Sequence, residues 1–199
     1  MRKKSHISLA NYLLDSIDSE LLEQHRKAFI VGSVLPDCKP SFVTERHSIE
    51  ETFDKVTEFV EKLTINHMDY RRISTAYCRK LGEVTHYVAD YFTYPHNDVY
   101  EGSLKDHCVY EGELKHALVD FIDSQQFVIN HNIAKSFKEP CDLCNYIRKM
   151  HQEYLNMEIN IAVDCMYIVS LCQIVVEGIL HLLAYYLKRA EQQVSTAVA

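Results

Sequence analysis

Five side chains of the types that bind metal ions lie close together in the middle of the chain. His86 and Asp90 are four residues apart, and His96 follows them. His107 and Glu111 are again four residues apart. On a helix, side chains at positions i and i+4 lie on the same face, so each pair presents an imidazole and a carboxylate to a common point. This spacing predicts a multinuclear metal site.

Three more residues of the same types precede this segment: His6, Asp37 and His47. Asp37 directly follows a Gly-Ser-Val-Leu-Pro motif at residues 32–36. Neutral imidazole nitrogen and carboxylate oxygen are suitable zinc ligands, and catalytic zinc sites keep a position open for water. The chain therefore carries an ordered series of candidate zinc ligands.

This order resembles the bacterial zinc-dependent phospholipase C family, which is related to the single-strand-specific zinc nucleases. Members of that family carry a histidine, an aspartate after a Gly-Ser-x-x-Pro-Asp-like motif, a histidine, HxxxD, a histidine and HxxxE. The matching residues here run from Gly32 to Glu111 and include His6. The resemblance implies an all-α fold, with one multi-helix domain over residues 1–199 built around a multinuclear zinc site.

The resemblance also assigns the ligands to two to three zinc ions. The first ion would be bound by a carboxylate and two imidazoles, from Asp37, His47 and His86. The second would take the ligand set His96, His107 and Glu111. His6 would help to bind a third zinc ion, and Asp90 would bridge that ion to the first.

The third zinc is where this chain differs from the family. In family members the mature N-terminal residue is a tryptophan whose amine and carbonyl bind that ion. This chain contains no tryptophan, and Met1 is its first residue. The sequence leaves two alternatives open: the Met1 amine substitutes for the tryptophan, or the third site is weak or empty. A binuclear site would still be chemically adequate for hydrolysis.

The implied activity is hydrolysis of phosphate esters. Three zinc ions would carry six positive charges, of which the three carboxylates remove three. The remaining charge attracts a phosphate and lowers the pKa of a bound water towards roughly 7. The family resemblance makes Asp37 the residue that orients or deprotonates this water. The nearest named activity is phospholipase C, which releases a diacylglycerol-like alcohol and a phosphomonoester.

The expected substrate is a phospholipid or another phosphodiester, with nucleic acid only as a possible substrate. Cys38 follows Asp37 in place of an aromatic residue, so the family's head-group contacts have no counterpart at this position. A net charge of −7 argues against non-specific nucleic-acid binding. Among the tyrosines near the ligands, Tyr94 is the one that we predict to line a substrate cleft, because it adjoins the Pro-His-Asn segment that contains His96.

Two other interpretations remain open. Glu83 and His86, like Glu113 and His116, form the ExxH unit of ferritin-like di-iron bundles. That arrangement would leave most of the ordered ligands unexplained. The other alternative is a catalytically inactive helical scaffold.

Helical periodicity predicts the elements that position these residues. We expect a first helix from about Leu9 that extends to Leu21, an amphipathic helix over residues 48–63, and a buried central helix over residues 72–92. Residues 28–37 are expected to form a loop, because Gly32 and Pro36 interrupt a short apolar run. Residues 94–103 should form a second loop, and a helix should follow from about Leu104 to Val128.

In the C-terminal third, the sequence pattern predicts two further helices or one long broken helix. Residues 166–187 approach membrane-spanning length, but Gln173, Glu177 and His181 interrupt them, and such groups are costly in lipid. We therefore predict a buried core helix and no stable transmembrane insertion. Glu177 and His181 are expected to form a buried hydrogen-bonded pair, or to support a metal ligand, and not to bind metal themselves. Cys141 and Cys144 are read as thiols at the start of a helix, since no second CxxC accompanies them.

The N-terminal residues predict a cytoplasmic location. They are basic but lack the continuous apolar segment of a secretory signal. Seven cysteines without such a signal suggest reduced thiols. A mature form cut from a longer secreted precursor would have the same sequence, and the oligomeric state is not indicated.

Overall fold

The computed structural model describes residues 1–39, 46–65 and 75–198, with side chains to residue 193. Within these ranges the structure has nine α-helices, no strand, and one domain, which confirms the all-α prediction. The helices are α1 (Lys3–Ser16), α2 (Glu20–Gln24), α3 (Arg26–Val34), α4 (Ile49–Leu63), α5 (Thr75–Tyr91), α6 (Leu104–Ser124), α7 (His131–Ser136), α8 (Pro140–Leu155) and α9 (Ile161–Val198). Single 3-10 turns at Pro36–Cys38 and Tyr94–His96 follow α3 and α5.

Helix α5 is the centre of the fold, as predicted, and it packs against α3, α4 and α9. Every residue from Leu81 to Tyr91 is buried. Residues 72–74 of the predicted helix lie outside the described ranges. Helix α4 confirms the predicted amphipathic helix, because its apolar positions face the core while its acidic residues face solvent. His86 and Asp90 of α5 are therefore buried in the interior of the domain.

The segment predicted to be a loop over residues 28–37 is instead helix α3 followed by a 3-10 turn. Gly32 lies where α3 crosses α5, and a Cβ atom there would be 2.0 Å from the carbonyl oxygen of Arg79. A Cβ atom on Gly82 would be 2.2 Å from the carbonyl oxygen of Phe29. Both glycines therefore allow two helix backbones to touch, which is a packing role and not a turn-forming one. Pro36 ends the helix, as expected from its sequence position.

Two other helix boundaries differ from the sequence prediction. Helix α1 ends at Ser16, and Leu21 belongs to the separate helix α2, whose first turn is capped by the side chain of Ser19. Helix α6 ends at Ser124 rather than at Val128, and Gln125 takes a left-handed conformation with φ of 49°. Local capping and termination override the apolar periodicity at both places.

The C-terminal third forms three helices. Cys141 and Cys144 lie in the first turns of α8, as predicted, and neither is in a disulfide. Residues Ile161–Gln193 of α9 are long and apolar enough to cross a membrane, but 72% of their most apolar window is buried inside the domain. This burial is typical of a core helix. The predicted Glu177–His181 pair is wrong, because the Glu177 carboxylate lies 2.9 Å from Nδ1 of His131 instead.

Candidate metal centre

Four of the predicted ligands converge between three elements of the fold. Asp37 comes from the 3-10 turn after α3, His47 from the residues just before α4, and His86 and Asp90 from successive turns of α5. One ligand atom of each lies within 4.8 Å of the others. We call these four residues the first group. Because the helices around it are packed together, the group is largely buried, and Asp90 is wholly so.

The backbone of α3 orients the imidazole of His86. Its Nδ1 donates a hydrogen bond to the carbonyl oxygen of Ser33, at 2.9 Å. That bond leaves Nε2 without a proton and directed at the group, 2.9 Å from Nδ1 of His47 and 3.2 Å from Oδ2 of Asp90. A histidine ligand held by a backbone carbonyl in this way is a common arrangement in metal sites. The close crossing at Gly32 and Gly82 brings this carbonyl within reach.

The two carboxylate oxygens of Asp90 face in different directions. Oδ2 faces the first group and lies 3.0 Å from Nδ1 of His47. Oδ1 faces His6, whose Nε2 is 3.3 Å away, and the amine of Met1, at 2.6 Å. Burial alone would raise the pKa of Asp90, but the Met1 ammonium and the neighbouring imidazoles hold that pKa well below its usual value. Asp90 therefore lies between the first group and His6, with one carboxylate oxygen directed at each.

His6 is buried at the other end of this bridge. Its ring stacks on that of His86, with the ring centroids 3.9 Å apart. Burial, followed by the nearby His86, lowers the pKa of His6 to about 3, so its imidazole is neutral at physiological pH. Its Nε2 is buried and, although it lies 3.3 Å from Oδ1 of Asp90, makes no hydrogen bond of acceptable geometry within the described part of the protein. An orphaned, neutral imidazole nitrogen beside a carboxylate fits a metal ligand.

A second group contains the remaining predicted ligands: His96, His107 and Glu111. Nε2 of His96 and Nε2 of His107 lie 3.3 Å and 3.2 Å from the same carboxylate oxygen of Glu111. His107 and Glu111 share one face of α6, as their spacing predicted, and His96 approaches from the 3-10 turn after α5. Although burial opposes it, hydrogen bonding to the two imidazoles lowers the pKa of Glu111, so the carboxylate is ionised.

The amine of Met1 lies between the two groups. It is 2.6 Å from Oδ1 of Asp90, 2.9 Å from Nε2 of His96 and 3.1 Å from Oε1 of Glu111. Burial would lower the pKa of this amine, but the attraction of the two carboxylates outweighs burial and raises it. The ammonium group of Met1 therefore lies between the carboxylates of Asp90 and Glu111.

A buried carboxylate outside the predicted set supports the second group. Oδ2 of Asp164, in α9, accepts hydrogen bonds from the backbone amide of Tyr94 and from the hydroxyl of Tyr110, both at 2.9 Å. Its Oδ1 accepts one from the hydroxyl of Tyr154 at 2.7 Å. Burial raises the pKa of Asp164 to about 6. Tyr94 begins the turn that contains His96, so Asp164 anchors that turn to the core.

Asn97 holds the same turn from its other side. Its side-chain amide donates hydrogen bonds to the carbonyl oxygens of Tyr91 and Thr93, at 3.2 Å and 3.0 Å. Its Oδ1 lies 2.7 Å from Nε2 of His151, which must then be the donor. His151 is buried. Ser33 and Asn97 lie in the Gly-Ser-Val-Leu-Pro and Pro-His-Asn motifs, from which no role was predicted for either residue, and no local signal identified Asp164.

Both groups open on one cavity of about 750 Å³. Residues from the first group (Asp37 and His47) and the whole of the second group line it. Burial raises the pKa of Asp37, which stands in the cavity wall. The tyrosine that lines this cavity is Tyr100; the prediction that Tyr94 does so is wrong, because its ring is turned towards Tyr100 and Tyr110 and does not reach the wall.

Apart from His86, the residues of the di-iron alternative (Glu83, Glu113 and His116) do not join either group. Glu83 turns away from His86 and forms ion pairs with Lys39 at 2.7 Å and Lys80 at 3.1 Å. Glu113 and His116 are both exposed on α6. The alternative arrangement would need these carboxylates to converge on a common ion, but Glu83 is buried beside its lysine partners whereas Glu113 faces solvent on α6.

Comparison with known proteins agrees with the geometry. A sequence model of the family described as zinc dependent phospholipase C matches residues 5–161. That range includes every predicted ligand from His6 to Glu111, together with Asn97 and His151. No curated protein and no solved structure matches the chain significantly. Because the family model covers well over half of the sequence, the chain belongs to the zinc-dependent phospholipase C family.

Proposed function

We propose that this protein is a zinc-dependent hydrolase that cleaves phosphodiesters in the manner of a phospholipase C. The observation that carries the proposal is the opening of both ligand groups on one cavity. A cavity of about 750 Å³ is within the usual size of small-molecule sites. Membership of the family supports the same reaction class.

The donor set supports zinc as the ion. The two groups offer only imidazole nitrogens and carboxylate oxygens, which are zinc ligands. The second group supplies three ligand atoms, which leaves a fourth tetrahedral position for water or substrate, and in the first group Asp90 can be shared with a neighbouring ion. The orphaned Nε2 of His6 supports a further ion beside Asp90. We therefore propose that His6, Asp37, His47, His86, Asp90, His96, His107 and Glu111 bind two to three zinc ions.

The residues of the chain have distinct proposed roles in the reaction. Bound zinc would supply Lewis-acid stabilisation of the phosphoryl oxygens and a water of lowered pKa. Asp37, at the cavity wall, would accept the proton of the water that attacks phosphorus. The bond from phosphorus to the leaving alcohol then breaks, and that oxygen takes up a proton. His86 is kept in one tautomer by Ser33, which keeps its free nitrogen directed at the site.

Elemental analysis together with a substrate screen tests this proposal. Purified protein reconstituted with zinc should retain two to three equivalents after gel filtration. It should hydrolyse a chromogenic phosphodiester, phosphatidylcholine or single-stranded DNA faster than a phosphomonoester, and a chelator should abolish that activity. Two equivalents of iron with a visible absorption band would instead support the di-iron alternative. A protein that keeps no metal after reconstitution would support the inactive scaffold.

A further inference from the structure

The mouth of the cavity carries three cationic side chains: Arg2, Lys3 and Arg46. We call these residues the basic wall. Arg2 and Lys3 lie at the start of α1, and Arg46 precedes His47. All three are exposed, so their charges are in contact with the solvent that fills the cavity. They lie on the same cavity as the two ligand groups, and a molecule bound at those groups would face them.

The basic wall is positively charged, whereas the whole chain has a net charge of −7. Among the described residues that line the cavity, the carboxylates are Asp37 and Glu111. Both belong to the ligand groups, where bound zinc would neutralise them. The charge left to face a substrate is therefore positive. Local charge of one sign in a cleft raises the concentration of oppositely charged ligands.

Arg2 and Arg46 make contacts that leave their side chains exposed. Nη2 of Arg2 donates to the carbonyl oxygen of Cys108 on α6 at 2.6 Å. Arg46 forms an ion pair with Asp98 at 3.1 Å, but both side chains are more than half exposed. Exposed pairs of this kind are worth little, and a phosphate can replace the carboxylate. Arg2, the N-cap of α1, makes no side-chain capping hydrogen bond.

The same lining is poorly suited to a cationic head group. Quaternary ammonium groups are recognised by aromatic rings arranged around the charge. Within the described lining, Tyr100 is the single tyrosine, and neither phenylalanine nor tryptophan accompanies it. Among the described residues of the lining, a choline head group would therefore meet one aromatic ring and three cations. The chemistry of the cavity mouth favours an anion over a cation.

We infer that the preferred substrate is a phosphodiester that carries a second phosphate, which the basic wall binds while the scissile phosphate lies at the ligand groups. This inference rests on the proposed function and specifies its substrate class. Hydrolysis adds one water, breaks one bond from phosphorus to oxygen, and leaves the second phosphate unchanged. Such a substrate is either a lipid with a phosphorylated head group or a 5′-phosphorylated dinucleotide, and the experiment distinguishes them.

The test compares kcat/KM of the zinc-loaded protein for matched substrate pairs. One arm uses short-chain phosphatidylinositol 4-phosphate against short-chain phosphatidylcholine, and the other uses pdTpdT against dTpdT. In at least one arm, the substrate with the second phosphate should be preferred about tenfold, the value of one charge-assisted contact. The preference should shrink as salt is raised, because screening weakens exposed charges. Equal or lower efficiency in both arms would overturn the inference and leave the hydrolase function standing.

Neutral substitutions of the basic wall supply the matched variants. R46Q and K3Q should each reduce the preference for the substrate with the second phosphate, and the double variant should bring the efficiencies for the two substrates of a pair within about twofold of each other. K4Q is the control, since Lys4 is exposed on α1 but does not line the cavity. If K3Q and R46Q behave like K4Q, the basic wall has no role in substrate choice.

A binding measurement separates this inference from the proposed function. Calorimetric titration of the zinc-loaded protein with inositol 1,4-bisphosphate and with phosphocholine requires no turnover. Tighter binding of the bisphosphate, lost in R46Q and K3Q but not in K4Q, would support the basic wall even in a protein that hydrolyses nothing. Equal binding of the two compounds would contradict it, whatever the hydrolytic activity.

Discussion

Asp164 accepts a hydrogen bond from the hydroxyl of Tyr110 through the same carboxylate oxygen that receives the backbone amide of Tyr94. Tyr110 adjoins Glu111 on α6, and Tyr94 begins the turn that contains His96. One oxygen atom on α9 therefore ties together the two elements that carry the second group. The spacing between those elements depends on a residue that is itself not a candidate ligand.

Removal of this carboxylate should weaken zinc binding at the second group. D164A leaves two tyrosine hydroxyls and an amide without their acceptor, so His96 and Glu111 are no longer held in place. Substitution of a residue that orients a metal ligand typically lowers metal affinity about 10- to 100-fold. Competition with a chromogenic chelator should show a weaker dissociation constant for one zinc and an unchanged constant for another. D120N, on the exposed face of α6, is the control; equal affinities in the two variants would contradict this role.

Replacement of the proposed base should remove turnover without removing the fold. D37N keeps the shape of the side chain but cannot take a proton, so we expect kcat to fall by about two orders of magnitude or more. Circular dichroism and thermal unfolding should remain close to those of the native protein. D54N, at a fully exposed position, serves as the control. Full activity of D37N would show that another group accepts the proton.

His6 offers a test in which stability and metal content should change in opposite directions. In H6F an apolar ring can keep the stacking against His86, while the orphaned buried nitrogen disappears. An unsatisfied buried polar atom costs about 1–3 kcal/mol, so the metal-free variant should unfold at a higher temperature. Its zinc content after reconstitution should fall by one equivalent. Unchanged zinc content would exclude His6 as a ligand.

Glu83 should stabilise the fold in a pH-dependent manner without affecting zinc. Although burial opposes it, hydrogen bonds from Lys39 and Lys80 lower the pKa of Glu83 below its ordinary 4.5. A lowered carboxyl pKa gives stability that is complete above the unfolded value and is lost as pH falls through the folded value. Urea denaturation should therefore show E83Q to be less stable than the native protein at pH 7, by about 1–3 kcal/mol. The difference should shrink below about pH 4.5.

Zinc content distinguishes a structural role of Glu83 from a role as a metal ligand. E83Q should bind as much zinc as the native protein, because the Glu83 carboxylate faces two lysines and not His86. H181A should likewise leave the zinc content unchanged, since His181 belongs to neither ligand group in the described structure. Loss of metal from E83Q would revive the ExxH alternative.

Gly82 should tolerate no side chain. The Cβ atom of G82A would lie 2.2 Å from a backbone carbonyl oxygen of α3, so the two helices must separate. Overpacking of this kind costs about 1–3 kcal/mol, and displacement of Ser33 would also disturb His86. Chemical denaturation should show this loss, accompanied by weaker zinc binding. G112A, where the nearest atom belongs to a flexible arginine side chain 3.2 Å away, should be close to neutral.

The amino-acid sequence by itself determined the helical class, the amphipathic and central helices, and the order of the candidate ligands. These features depend on local spacing: a period of 3.6 residues for apolar faces, and i, i+4 pairs for His86 with Asp90 and for His107 with Glu111. The family match agrees with this order over residues 5–161. Local patterns were sufficient for the helices and for the two i, i+4 pairs, because each of these lies within one helix.

Only the tertiary structure decided how these elements meet. Gly32 appeared to be a loop former, but it is the point where α3 touches α5, a contact between residues distant in sequence. Asp164 is 70 residues from Tyr94, with which it forms a hydrogen bond, and no local pattern relates the two. The basic wall likewise joins Arg46 to the start of α1 across one cavity. Contacts between distant residues are set by the packing of buried helix faces, which local periodicity does not specify.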